Sequence, residues 1–197
     1  MKTKFNPMFA VLLLLIVGAA GTRFFNVEGH SPLINFTPIG AMALFGGAYF
    51  TQKWKSFLFP LLTLFISDII INIFFYHGLY GILYNGWFFV YGAFALVVFL
   101  GRWLLKNINI KNVFIAGITA SLTHWVIADF GVWLSGGLDI TTGLPYTHDI
   151  SGLLKCYYLA LPYLKNFFSG TVFYSAIMFG IFEFAQRRFP VLSAQQA

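Results

Sequence analysis

A small set of polar side chains interrupts the long apolar runs of this sequence. Its members are Arg23, Asp68, Asn72, His124, Asp129 and Glu183. A charge within the hydrocarbon of a membrane is costly, so such residues mark either a functional site or an internal ion pair. Asp68 and Asn72 are four residues apart and would share one face of a helix. Without Glu183, the set predicts a polar cavity open to the outside; the structural alternative is that Arg23 only neutralises Asp68 or Asp129 and holds helices together.

One apolar run carries an aromatic stripe around a carboxylate. Trp125, Asp129 and Trp133 follow one another at steps of four, which places both indoles and the carboxylate on one helix face. Such a stripe can stack against a flat ligand and hydrogen-bond to it. The alternative is a tryptophan girdle at the membrane interface together with one core tryptophan. His124 is five residues from Asp129 and lies on another face, which disfavours a catalytic His–Asp pair within this helix.

The sequence lacks the motifs of metal binding, nucleophilic catalysis and nucleotide hydrolysis. The histidines have no metal-ligand spacing, and Cys156, the single cysteine, has no histidine at a suitable spacing. Neither the G-x-S-x-G nucleophile motif nor a Walker motif occurs. We therefore predict no enzymatic activity, no catalytic residue, no metal and no cofactor.

Glu183 and Arg187, four residues apart, predict a plain ion pair at a helix end.

The composition identifies the environment in which these residues act. Of the 197 residues, 59% are apolar and 9% are charged, whereas about 25% of residues are charged in soluble domains. The mean hydropathy is +0.79. The net charge of +6 comes from basic residues dispersed between apolar runs, without the basic patch of a nucleic-acid-binding protein. The composition predicts a multi-pass membrane protein, a single transmembrane domain over residues 1–197, with the lipid bilayer as partner and no nucleic acid.

Six apolar runs are candidate membrane-spanning helices, for which roughly 20 residues are needed. They cover residues 7–25, 36–50, 57–76, 83–105, 113–134 and 166–184. The second run is short and rich in small residues, so the pattern does not define its ends. The expected fold is an all-α bundle of six transmembrane helices.

Lysine and arginine are distributed unequally between the two ends of these runs. Nine of the twelve fall on the side of both termini, and the other three are Arg23, Lys155 and Lys165. Loops on the side of these three also hold Glu28 and Asp149. Because basic residues concentrate in cytoplasmic loops, both termini are predicted to face the cytoplasm, across the inner membrane of a bacterium.

The loop between the fifth and sixth runs, residues 135–165, is the longest on the outer side. Glycine and proline residues in its first half predict turns. Its second half, residues 153–164, is apolar and rich in tyrosine. This predicts an interfacial or re-entrant helix, held at headgroup level by Tyr157, Tyr158 and Tyr163 and capped by Asp149 or Ser151. We expect this loop to form a lid over the outer end of the bundle.

Five distinctive motifs are spread over most of the chain. They are the run from Asn35 to Gly47 (NFTPIGAMALFGG), Ser67-Asp68, the run from His124 to Trp133 (HWVIADFGVW), the run from Gly152 to Tyr158 (GLLKCYY), and Ala160-Leu161-Pro162. Together they resemble a family of uncharacterised bacterial integral membrane proteins that is common in Bacteroidetes and has no assigned function.

The layout is also distantly similar to the substrate-binding S components of energy-coupling factor (ECF) transporters. That similarity implies six helices with both termini inside, a small-molecule site beneath the outer loops, and a membrane coupling subunit and an ATPase module as partners. Many S components carry an Ala-x-x-x-Ala face in the first helix for docking the coupling subunit. Here Ala116-x-x-x-Ala120 lies in the fifth run, and the second run holds further small residues. These small residues predict close packing within the chain or, alternatively, a docking face.

Three functional hypotheses follow from the sequence. The leading one is an S-component-like subunit that captures a small molecule from the outer side for uptake. Its ligand-binding residues would be Arg23, Asp68, Asn72, His124, Trp125, Asp129 and Trp133. The second is a structural or assembly subunit of a larger membrane complex without a ligand of its own. The third is an intramembrane enzyme that uses His124 or Asp129.

Overall fold

The computed structural model describes residues 7–26, 33–79 and 81–192, and within them the regular structure is helical. The helices are α1 (Pro7–Gly21), α2 (Ile39–Tyr49), α3 (Lys53–Ile70), α4 (Trp87–Leu104), α5 (Ile110–Leu134), α6 (Ile150–Leu159) and α7 (Leu161–Arg188). A 3₁₀ turn, Thr22–Asn26, extends α1, and a π-helical turn, Ile71–Phe75, extends α3; a second 3₁₀ turn, Pro190–Leu192, follows α7. Glu28, which was predicted in an outer loop, lies outside the described residues.

Five helical stretches are long and apolar enough to cross a membrane. They are Pro7–Phe24, Lys53–Phe75, Trp87–Leu104, Ile110–Leu134 and Leu161–Arg188. Large apolar side chains cover their outward surfaces, and Phe74, Phe99 and Phe184 are each more than half exposed. Such surfaces are stable against lipid tails and not against water. The chain is therefore an all-helical, multi-pass membrane protein.

The second predicted span corresponds to α2, which is too short to cross a membrane by itself. Its eleven residues rise about 16 Å, whereas the hydrocarbon core of a bilayer is about 30 Å thick. Ten of the eleven are buried, and the helix contacts α1, α3, α4, α5 and α7. A helix that is apolar on all sides is stable only in such a central position.

An irregular segment, residues 33–38, leads into α2 from one end of the bundle. The segment begins near Arg23, and the chain leaves α2 at Phe50, at the opposite end. There Arg102, in the last turn of α4, donates hydrogen bonds to the carbonyl oxygens of Phe50 and Thr51, at 3.0 and 3.1 Å. Segment 33–38 and α2 together therefore connect the two ends of the bundle, and α2 is only the helical part of that connection.

Small residues allow α2 to occupy the centre. A Cβ atom at Gly47 would overlap the carbonyl oxygen of Val98, and one at Gly101 would lie 2.5 Å from that of Leu44. The backbones of α2 and α4 therefore touch. Ala116 and Ala120 are fully buried as well. The small-residue motifs of α2 and α5 thus pack inside the chain and do not form an outward docking face.

Glu183 does not form the ion pair with Arg187 that its spacing predicts. Its Oε1 accepts a hydrogen bond from the hydroxyl of Tyr49, at 2.6 Å. The ring of Tyr49, the last residue of α2, packs edge-on against Phe182 with centroids 4.4 Å apart. This contact brings the hydroxyl to the carboxylate, so the prediction of a helix-end pair is wrong because α2 provides a partner.

The loop of residues 135–165, which was predicted on the outer side, is held by hydrogen bonds of its own. Leu138 and Pro145 form an antiparallel bridge, and the Asp149 carboxylate accepts a hydrogen bond from the backbone N–H of Gly152 at 2.7 Å. The predicted cap by Asp149 is therefore confirmed, and the helix that it begins is α6. This helix lies beside α5, where the Tyr157 hydroxyl donates to the carbonyl oxygen of Val126 at 2.7 Å.

Candidate functional site

A cavity of about 490 Å³ lies at the Arg23 end of the bundle. It is enclosed by the 3₁₀ turn after α1, the segment before α2, α3 with its π-helical turn, α4, α5 and the start of α7. Six of the seven predicted ligand-binding residues line it: Arg23, Asp68, Asn72, His124, Trp125 and Asp129. The volume lies within the usual range for small-molecule pockets, and the lining combines apolar walls with a few polar groups.

Arg23 and Asp68 form an ion pair on the wall of the cavity. Arg23 Nη2 lies 2.7 Å from Asp68 Oδ1, and Arg23 Nη1 donates to the hydroxyl of Ser67. The other carboxylate oxygen accepts from the Tyr91 hydroxyl at 2.9 Å. The two charged side chains are only 14% and 5% exposed, so each depends on the other for neutralisation. The pairing of Arg23 with one of the two aspartates is confirmed.

Asn72 reaches the cavity from the π-helical turn. Its side-chain amide donates to the carbonyl oxygen of Ile82 at 3.1 Å, and its backbone carbonyl oxygen accepts from the N–H of Gly78 at 2.8 Å. These bonds fasten the end of α3 to the connection with α4.

The cavity face of α5 presents three predicted residues in different environments. The His124 ring stacks on Phe167, with centroids 4.3 Å apart. The Trp125 ring meets Tyr157 edge-on at 5.0 Å, and its indole N–H is buried without a hydrogen-bond partner among the described residues. The Asp129 carboxylate likewise forms no hydrogen bond and no ion pair within the described part of the chain. Two polar groups of α5 are therefore left for a ligand.

Trp133, the seventh predicted residue, lies outside the cavity. Its indole N–H donates to the carbonyl oxygen of Thr147 at 2.8 Å, and its ring lies 5.6 Å from that of His148. The stripe of Trp125, Asp129 and Trp133 exists, and Val132 beside Trp133 still lines the cavity, but the Trp133 ring contacts the loop of residues 135–165 instead. This tryptophan holds that loop and does not line the site.

The loop of residues 135–165 does not form the predicted lid. Of residues 135–165, only Tyr163 and Leu164, in the first turn of α7, line the cavity. The preceding part is held against the end of α5, and within it Lys155 pairs with Asp139. Hydrogen bonds from Lys155 and Thr141 hold the pKa of Asp139 below its usual range. The loop is fixed by its own polar contacts and does not cover the cavity.

Sequence comparison connects the whole chain with one family. The family of unknown function DUF6580 matches residues 3–192. The chain belongs to the DUF6580 family. The predicted kinship with an uncharacterised family is thereby confirmed. No curated protein and no solved structure shows a significant match.

The DUF6580 cavity has an aromatic lining of which the sequence analysis predicted only Trp125 as a ligand-binding residue. Its members are Phe36, Tyr76, Tyr84, Phe94, Trp125, Tyr163 and Phe167. Burial, and then the negative charge of Asp68, raise the pKa of Tyr84 above its usual value, so its phenol is neutral. The motif from Asn35 to Gly47 was one available signal, because its first residues border the cavity. Aromatic residues make up 20% of the chain, so their type alone does not distinguish the lining.

Proposed function

We propose that this DUF6580 protein binds a small molecule in the cavity and acts as the substrate-capture subunit of an uptake system. The observation that carries the proposal is the cavity itself, about 490 Å³ in volume with polar groups converging on it. The unpartnered Trp125 N–H and Asp129 carboxylate support it further. A buried donor or acceptor without a partner is costly, and a ligand that bonds to it removes that cost. A purely structural subunit gains nothing from such a space.

The distribution of basic residues supports an outward-facing cavity. Arg23, Lys155 and Lys165 lie at the cavity end, whereas the opposite end carries Lys53, Lys55, Arg102, Lys106, Lys111, Arg187 and Arg188. Cytoplasmic loops are the ones enriched in lysine and arginine. We therefore place the cavity on the outer side of a bacterial inner membrane, with six crossings if segment 33–38 and α2 count as one.

The energy for uptake would come from other subunits. The sequence contains no Walker motif, so this chain does not bind ATP through a P-loop. The similarity of its layout to ECF S components supports a membrane coupling subunit and an ATPase module as partners. The burial of Ala116 and Ala120 means that such a coupling subunit would dock on a surface other than the Ala-x-x-x-Ala of α5.

The orientation is tested by single cysteines in a Cys156→Ser background. Lys106 and Thr142 are both exposed and lie at opposite ends of the bundle. We expect a membrane-impermeant maleimide added to intact cells to label the Thr142→Cys variant and to spare the Lys106→Cys variant. Permeabilised cells should label both. Labelling of the Lys106 position from outside would reverse the proposed orientation.

The capture function is tested by filling the cavity. Ala128 lines the cavity and is 7% exposed, so Ala128→Phe places a ring into the space. We expect mass spectrometry of the purified wild-type protein to reveal a co-purified small molecule, and the Ala128→Phe variant to lose at least about nine tenths of it, since overlap with the ligand abolishes binding.

Val126→Phe is the matched control, because Val126 lies two residues away on the same helix and is 48% exposed on the outside. It should retain the molecule at the wild-type level. Circular dichroism and size-exclusion chromatography must show both variants folded. If the wild-type protein carries no molecule, or Ala128→Phe retains it fully, the capture function is wrong.

A further inference from the structure

The ion pair of Arg23 and Asp68 on the cavity wall neutralises both of its charges. Asp68 receives Arg23 on one carboxylate oxygen and the Tyr91 hydroxyl on the other, at 2.7 and 2.9 Å. Arg23 also donates to Ser67. The pair therefore contributes no net charge, and its hydrogen-bonding groups on these atoms are already used within the protein.

Asp129 is left as an unmatched acidic group on the cavity wall. It has no ion pair among the described residues. The basic residues at this end of the bundle are not available to it. Arg23 is paired, Lys155 binds Asp139, and Lys165 is exposed and does not line the cavity. A carboxylate is costly to keep ionised in a mostly apolar cavity, and a cation bound beside it removes much of that cost.

Aromatic rings line the same cavity as Asp129. Trp125, one turn before Asp129 on the same face of α5, lines the cavity together with six other aromatic side chains. The faces of such rings are negative and attract organic cations. The same rings offer apolar area to the body of a ligand. An anionic ligand would meet the opposite conditions, because Arg23, the one lysine or arginine among the described lining residues, is already neutralised.

We propose that the cavity binds a small organic cation, with its ammonium group at Asp129 and a flat or apolar body against the aromatic lining. This inference rests on the proposed capture function and adds the chemical class of the ligand. In it, Asp129 is the ligand's counter-ion, and Trp125 together with the neighbouring rings selects organic cations over strongly hydrated metal ions. The Arg23–Asp68 pair is part of the wall.

The test compares three probes of similar size and different charge: phenethylammonium, 2-phenylethanol and phenylacetate. Their affinities for the purified full-length protein in detergent are measured by isothermal titration calorimetry at neutral pH. We expect phenethylammonium to bind at least about tenfold more tightly than the other two, as a charge-assisted contact and a cation–π contact together imply. In Asp129→Asn, which preserves the shape of the side chain, phenethylammonium should bind no better than 2-phenylethanol.

Glu183→Gln is the matched control, because Glu183 is a carboxylate bonded to Tyr49 at the other end of the bundle. It should retain the full preference for the cation. Equal affinities of the three probes, preference for phenylacetate, an unchanged preference in Asp129→Asn, or no binding of phenethylammonium each overturn the inference. In those cases a molecule retained by the wild type and lost in Ala128→Phe still supports capture, of a different ligand class. If no molecule is retained, the capture function fails as well.

Discussion

Replacement of Arg23 by glutamine is expected to lower the free energy of unfolding by about 3–5 kcal/mol, the usual effect of breaking a buried ion pair. The reason is the partner that remains. Asp68 is 5% exposed and would lose its only cationic neighbour among the described residues, while the Tyr91 hydroxyl alone cannot neutralise a carboxylate. Thermal or denaturant unfolding in detergent micelles, followed by circular dichroism, measures the loss.

The second ion pair of the described chain is a matched control for this effect. Lys155→Gln breaks the pair with Asp139, but the lysine is 45% exposed and Thr141 still donates two hydrogen bonds to the aspartate. We expect a loss of less than about 1 kcal/mol there, as for exposed pairs generally. The double variant Arg23→Gln/Asp68→Asn should recover most of the stability, since it leaves no unpaired charge. Equal losses for Arg23→Gln and Lys155→Gln, or no recovery in the double variant, would contradict the structural role assigned to this pair.

Replacement of Gly101 by alanine is expected to destabilise the protein by about 1–3 kcal/mol or more, the range for overpacking a filled interior. The new Cβ atom would lie 2.5 Å from the carbonyl oxygen of Leu44 and 2.8 Å from its Cα atom. Both are backbone atoms of α2, so no side-chain rotation relieves the clash. The helices must separate, and α2 has close neighbours on every side.

For Gly92, two and a half turns earlier in α4, we expect the substitution by alanine to have the opposite effect on stability. A Cβ atom there meets no atom within 4 Å. Gly92→Ala should therefore leave stability unchanged or raise it by up to about 1 kcal/mol, because alanine favours the helical backbone more than glycine does. Unfolding midpoints of the two variants in the same detergent decide the matter. A loss in Gly92→Ala as large as in Gly101→Ala would show that helix propensity, and not contact with α2, determines the effect.

The elements of this fold that are visible in the sequence are those governed by length and apolar composition. All five long helices were predicted, because about 20 consecutive apolar residues leave few alternatives. The start of α2 was not predictable in this way, since Ile34 and Phe36 before it are as apolar as its own residues. The irregular segment 33–38 is held by α7, where the Asn166 side chain donates to the carbonyl oxygen of Ile34 at 2.8 Å. A contact between residues so distant in sequence leaves no local pattern.

The site residues that could be predicted from the sequence are those of a type that is rare in apolar runs. A charged side chain within an apolar run is unusual, so Arg23, Asp68 and Asp129 were singled out. The partner of Arg23 could thereby be limited to the two aspartates. Trp133 follows Trp125 at helical spacing and its neighbour Val132 lines the cavity, but its indole donates to the carbonyl oxygen of Thr147, and periodicity along one helix carries no information about such a partner. The partner of Glu183 was missed for a similar reason, since Tyr49 is distant in sequence and adjacent only after α2 has packed.

The shortness of α2 also affects how the protein is made. A segment of eleven apolar residues is too short to enter the bilayer stably by itself, and its buried position depends on contacts with α4. The ribosome completes α4 some 55 residues after the end of α2. At about 5–20 residues per second, roughly 3–11 s pass between the two events. During that interval the insertion machinery must hold α2, so the helix at the centre of the finished bundle takes its place only after α4 has been made.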